Sequence, residues 1–190
     1  MNPRKFIAKE HPESLITEAY RKVAANIEFA NIDKNINILL IDLDLRKPFV
    51  HRFFSLSNKE GLTDLLLNKD DYCNYIQNIY PKLDIITAGK IPPNPTEILN
   101  SKSIRELLKE LSSHYDYIFL DTPPIIMVSD PIIVTTYVDA VILIIASGQT
   151  DIETAKKSLN SLKQVNANLI GTVLNKVPVT NQKKYYCKYY

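Results

Sequence analysis

Ile38, Leu39, Leu40 and Ile41 form an unbroken aliphatic run that passes directly into Asp42-Leu43-Asp44-Leu45-Arg46-Lys47-Pro48. A strand with one face in water alternates apolar and polar residues. A run without alternation is a strand covered on both faces, as parallel strands between helix layers are. Four further runs have the same character: Leu83–Thr87, Tyr117–Leu120, Ala140–Ala146 and Leu169–Leu174. Helical spacing fills the intervals. After Pro12, Leu15, Ala19, Val23 and Ile27 recur every fourth residue, with Ile16 and Tyr20 widening the stripe. Shorter helices are expected around Leu62–Leu67, around Ile104, Leu107, Leu108 and Leu111, over Asp130–Tyr137, and from Asp151 to about Val165. Strands alternating with helices predict a doubly wound α/β fold, a mostly parallel sheet of about five strands with helices on both faces. One domain over residues 1–182 is expected, followed by a tail at 183–190, KKYYCKYY, that matches no periodic template.

Acids at the carboxyl ends of buried parallel strands lie where open α/β sheets bind ligands. Asp42 and Asp44 end the first run, and Asp121-Thr122-Pro123-Pro124 ends the third. A carboxylate there can hold a Mg²⁺ water or accept a proton. The plainer alternative is that the acids only end a strand in solvent, or that Asp121 caps the next segment. Asn175, just past the last run, is either a turn former or an amide presenting a donor and an acceptor to a ligand.

Bulk properties narrow the class. At 190 residues, 45% hydrophobic and 23% charged, the chain has a globular composition. A net charge of +2 with dispersed Lys and Arg gives no basic stripe for nucleic acid. No apolar run reaches the roughly 20 residues of a membrane span, and MNPRKFIAKEHPES has no signal-peptide apolar region, so a cytoplasmic protein is expected. Cys73 and Cys187 form no C-x-x-C pair.

The run Ile38–Pro48 resembles the second Asp motif (Walker A′) of the bacterial tyrosine kinases of capsule and exopolysaccharide synthesis. Tyr117–Pro124 resembles their Walker B motif, and Ile91–Pro95 (IPPNP) resembles a segment of these kinases rather than of the related partitioning ATPases. The resemblance implies a P-loop NTPase-like fold, catalytic roles for Asp42, Asp44 and Asp121, Mg²⁺ at Asp42 and Asp121, and ATP contacts from Arg46 and Asn175. It also implies autophosphorylation of the C-terminal cluster Tyr185, Tyr186, Tyr189 and Tyr190. A membrane adaptor or activator subunit is the implied partner, which would place the protein at the membrane periphery. The family's E-x-x-R-x-x-R oligomerisation motif is present as Glu18 and Arg21, with Ala24 where the second arginine belongs, so the homo-oligomer contact is incomplete.

One family element is missing. A P-loop, G-x-x-x-x-G-K-[ST], surrounds phosphates with backbone N–H groups, a lysine and a hydroxyl. The only Gly-Lys here is Gly89-Lys90, preceded five residues earlier by Asp84 and followed by Ile91. In the family the P-loop strand, loop and helix precede the Walker A′ strand. Here only Asn31–Asn37 lies between the first helix and that strand, against the roughly 30 residues that a crossover unit needs. Weak or absent Mg-ATP binding is expected, because positioning and charge stabilisation are nearly all of phosphoryl-transfer catalysis. The readings are then a kinase taken at face value but inactive, a non-catalytic regulatory module that docks on the adaptor or presents its tyrosines to an intact paralogue, or a non-functional deletion product. A partitioning-type ATPase is disfavoured by IPPNP and the tyrosine tail.

Overall fold

The computed structural model describes residues 36–177. The expected first helix with Glu18 and Arg21, and the tail with Tyr185, Tyr186, Tyr189 and Tyr190, lie outside the described residues.

All five aliphatic runs are strands. They are β1 (Ile38–Asp42), β3 (Leu83–Ile86), β4 (Tyr117–Asp121), β5 (Val141–Ala146) and β6 (Leu169–Asn175). A further strand, β2 (Gln77–Tyr80), escapes the aliphatic pattern because its sequence is Gln-Asn-Ile-Tyr. It forms an antiparallel hairpin with β3 across Pro81-Lys82. The expected mostly parallel α/β architecture is present, with its strands in two sheets rather than one: four in the order β2-β3-β1-β4, and β5 paired with β6. The chain likewise divides into two compact units, one ending at Pro123 and one beginning at Pro124.

In the first unit β1 is central, parallel to β3 on one side and β4 on the other. Leu39, Ile41, Ile85 and Ile86 are fully buried, as central parallel strands must be. Helices α1 (Val50–Phe54), α2 (Leu62–Asn68), α3 (Pro95–Leu99) and α4 (Lys102–Leu111) fill the connections. Ser101 caps α4 by accepting a hydrogen bond from the Ile104 N–H, and Ile104, Leu107 and Leu111 form its buried stripe. IPPNP has no regular structure until Pro95, which takes the first helical position of α3, where its missing N–H is not needed.

In the second unit β5 and β6 are parallel. Helix α5 (Asp130–Val134) is shorter than expected, and α6 (Ile152–Gln164) begins where Asp151 accepts a hydrogen bond from the Thr154 N–H. Ile144, Ile170 and Leu174 are each more than half exposed, at 64%, 58% and 58%. Parallel pairs normally have both faces covered, so this small sheet is under-covered for its composition.

Candidate functional site

The acids of β1 and β4 meet by register. Each strand ends in aspartate, and the parallel pairing sets Asp42 beside Asp121 at the carboxyl ends of both. Alternation continues past the end of β1: Leu43 and Leu45 are buried, while Asp44 and Arg46 turn outward.

Asp42 is fully buried, yet none of its oxygens is idle. Oδ1 accepts from the Asp44 N–H at 3.1 Å, and Oδ2 accepts from the Phe49 and Val50 N–H groups at 3.2 and 3.1 Å. The carboxylate thus folds the loop back on itself and holds the start of α1, which has no side-chain cap of its own. Burial raises its acid above the usual carboxylate range, the three N–H groups pull against that, and Asp44 adds to the rise. Asp44 repeats the device one step further out, its Oδ1 accepting from the N–H groups of Arg46 at 3.2 Å and Lys47 at 2.9 Å. The Arg46 guanidinium donates to Thr96 Oγ1 at 2.9 Å, tying this loop to the first turn of α3.

Asp121 is different. No side-chain hydrogen bond holds its carboxylate among the described residues, and its side chain reaches the surface. Even so, the protein around it pushes its acid up to about 6, first by desolvation, then through the charges of Asp42 and Asp44. It is therefore the carboxylate at these strand ends best placed to take up a proton or a cation. Among the described residues no group of three or more His, Cys, Asp or Glu side chains is arranged to hold a metal ion.

A second feature at the carboxyl end of β3 was not legible as a site. Thr87 is fully buried and donates to the Ser57 carbonyl at 3.2 Å. Asn58 grips Gly89 from both sides, donating to its carbonyl at 2.8 Å and accepting from its N–H at 2.9 Å. Gly89 has φ +79° and packs on the backbone of Gly61; a Cβ at Gly61 would stand 2.2 Å from the Thr87 carbonyl oxygen. Asp64, nearly buried, accepts from the Gly61 N–H at 3.1 Å and pairs with Lys90 Nζ at 3.3 Å. The one Gly-Lys in the chain is thus part of a structural knot that anchors IPPNP, and through it Thr96.

The remaining predicted residue, Asn175, falls in the second unit at the end of β6. Its side-chain oxygen accepts from the next N–H, Lys176, at 2.8 Å, the turn-forming arrangement. A concavity of about 350 Å³ lies away from all these acids, at the amino ends of β1, β3 and β4, where Tyr72, Lys82, Asp84 and Tyr115 line it. Its Asp84 carboxylate is already taken by the Tyr115 hydroxyl at 2.7 Å.

A triphosphate does not fit these residues. Every N–H donor cited in the loop after β1 is accepted by Asp42 or Asp44, and the lysine that follows glycine pairs with Asp64, so these groups are not offered to phosphate oxygens.

No protein-family model matches the chain. It is 36% identical to the tyrosine-protein kinase YwqD of Bacillus subtilis, with 96% of this chain and 90% of that protein covered. It is 32% identical to the putative tyrosine-protein kinase CapB of Staphylococcus aureus, covering 95% and 92%. Among solved structures, the kinase domain of the Escherichia coli tyrosine kinase ETK superposes with a TM-score of 0.84 at 29% identity, covering 91% of this chain and 80% of that one. The YwqD alignment runs over 213 positions while taking in 96% of a 190-residue chain, so about 31 positions have no counterpart here, the size of one strand–loop–helix unit. The CapB alignment, 211 positions at 95%, has the same excess.

Proposed function

Because this chain belongs to the bacterial tyrosine-protein kinases of capsule and exopolysaccharide systems, we propose that it serves such a system as a phosphoacceptor and regulatory module without transferring phosphate itself. The observation that carries this reading is the use made of the loop after β1: Asp42 and Asp44 accept the N–H groups of Asp44, Arg46, Lys47, Phe49 and Val50, which are then not offered to a phosphate. Asp42 then acts as the clamp that positions the loop and α1, with Asp121 as the exposed acid beside it. Mg-ATP, Mg²⁺ at Asp42 and Asp121, and adenine reading by Asn175 are properties of an intact family member that this chain has lost the means to perform.

What remains is the tyrosine tail. Tyr185, Tyr186, Tyr189 and Tyr190 stand beside Lys183, Lys184 and Lys188. Each phosphate adds about −1.5 to −2 charges, turning a basic segment acidic and so changing its fit to an adaptor or an intact kinase. The test is phosphorylation of the purified chain. Alone with Mg-ATP it gives no phosphotyrosine; with an intact kinase relative it gives a signal that vanishes when the four tyrosines become Phe. Phosphorylation by the chain alone refutes the reading, and so does the lack of any signal in the mixture.

A further inference from the structure

Among the described residues the first sheet ends at β4. β4 pairs with β1, and among the described residues no strand meets its other edge. Proteins usually blunt such an edge with charge, proline or a bulge. This one reads Tyr-Ile-Phe-Leu before it reaches Asp121, and Phe119 is 38% exposed.

The topology restricts where another parallel strand could join. β1 has both sides taken, by β3 and β4. The far end of the sheet is β2, which runs antiparallel to its neighbour. Within this sheet, only the outer side of β4 offers a place next to a strand running in the common direction. The relatives, meanwhile, fill about 31 positions for which this chain has no residues, enough for one strand, a turn and a return helix.

We propose that the outer edge of β4 is a docking site for a strand–helix segment supplied by a second polypeptide, an apolar strand and following helix of the kind that these relatives carry and this chain lacks. The incoming strand adds parallel to β4. Its backbone bonds to the outward N–H and C=O groups of Ile118 and Leu120, since those of Tyr117 and Asp121 are turned to β1, and its side chains cover Phe119. Running in that direction, it ends beside Asp121, so its following turn brings main-chain N–H groups to a carboxylate that has no side-chain hydrogen bond among the described residues. This surface goes beyond the phosphoacceptor reading and does not depend on it.

The probe is a synthetic peptide of about 31 residues built from the YwqD residues that have no counterpart here. Fluorescence anisotropy of the labelled peptide with the full chain should give saturable binding at micromolar concentration, and a residue-scrambled peptide should give none. Saturation should raise the melting temperature by about 5 °C, since the peptide binds only the folded chain. Hydrogen exchange should slow over 117–121 on binding. Phe119→Asp should weaken binding at least tenfold while retaining the circular dichroism of the parent. Absence of saturable binding overturns the proposal, and so does binding that leaves exchange over 117–121 unchanged or that is indifferent to Phe119→Asp. None of these measurements reads phosphate transfer, so their failure leaves the proposed function standing.

Discussion

Asp42→Ala removes the acceptor for three main-chain N–H groups at once, those of Asp44, Phe49 and Val50. Asp42 is fully buried, so truncation admits no ready supply of water to replace the carboxylate. A buried N–H left without a partner costs about 1–3 kcal/mol. Only the Val50 N–H is fully enclosed; the other two are part-buried and regain some solvation. Two effects oppose the loss. Burial and the nearby Asp44 already disfavour the Asp42 charge, and Asp121 is relieved of a like charge. The net expectation is a destabilisation of about 2–4 kcal/mol, a large part of the ~5–15 kcal/mol of a typical domain. Asp42→Asn keeps one acceptor oxygen, but its NH₂ group must face a donor whichever way it is turned, giving a loss of about 1–2 kcal/mol. Urea denaturation at pH 7, followed by circular dichroism, reads both values if the transitions have equal slopes. A variant as stable as the parent, or more so, would refute the clamp. It would mean that Asp42 is carried at a cost, as a carboxylate kept for a ligand is.

Three further outcomes are expected. Gly89→Ala should destabilise by about 3 kcal/mol in the same assay, because φ is +79° and the added Cβ would stand 2.5 Å from Asp64 Oδ2 and 2.7 Å from the Gly61 nitrogen; a loss below about 1 kcal/mol would mean that the knot is loose. Asp121 titrates at about 6 in the folded chain, above the unfolded carboxylate near ~3.9, so its contribution is fully present below about pH 4 and lost as pH rises through about 6. Asp121→Asn should therefore gain on the parent as pH rises from 4 to 7, by ~1 kcal/mol once solvent screening of this exposed group is allowed for, and parallel stability profiles would contradict the shift. Millimolar Mg-ATP should leave the melting temperature unchanged, and calorimetry giving low-micromolar affinity would overturn the misfit between these residues and a triphosphate.

The strands were legible because periodicity is a local property. An aliphatic run without alternation marks a strand whatever its final cover, and all five such runs are strands, although those of β5 and β6 leave Ile144, Ile170 and Leu174 more than half exposed. The acids at two of their ends were legible for the same reason, since Asp42 and Asp121 close their runs in the sequence itself. β2 was not, because Gln77-Asn78-Ile79-Tyr80 carries no apolar pattern and becomes a strand only by pairing with β3. Nor was α1, five residues long and started by a carboxylate eight positions upstream of Val50.

The roles of the site residues also depended on distant partners. Asp42 and Asp44 read as ligands, with strand ends as the plainer alternative, until the chain returned its N–H groups to them. Gly89-Lys90 read as a failed phosphate loop, and its use became visible only with Gly61, Asn58 and Asp64 packed against it. The division of the strands between two sheets was likewise beyond the sequence. Hydrophobic period decides that a segment will be a strand, whereas its neighbour is chosen by backbone pairing and side-chain fit between residues far apart in the chain, such as Asp42 and Asp121.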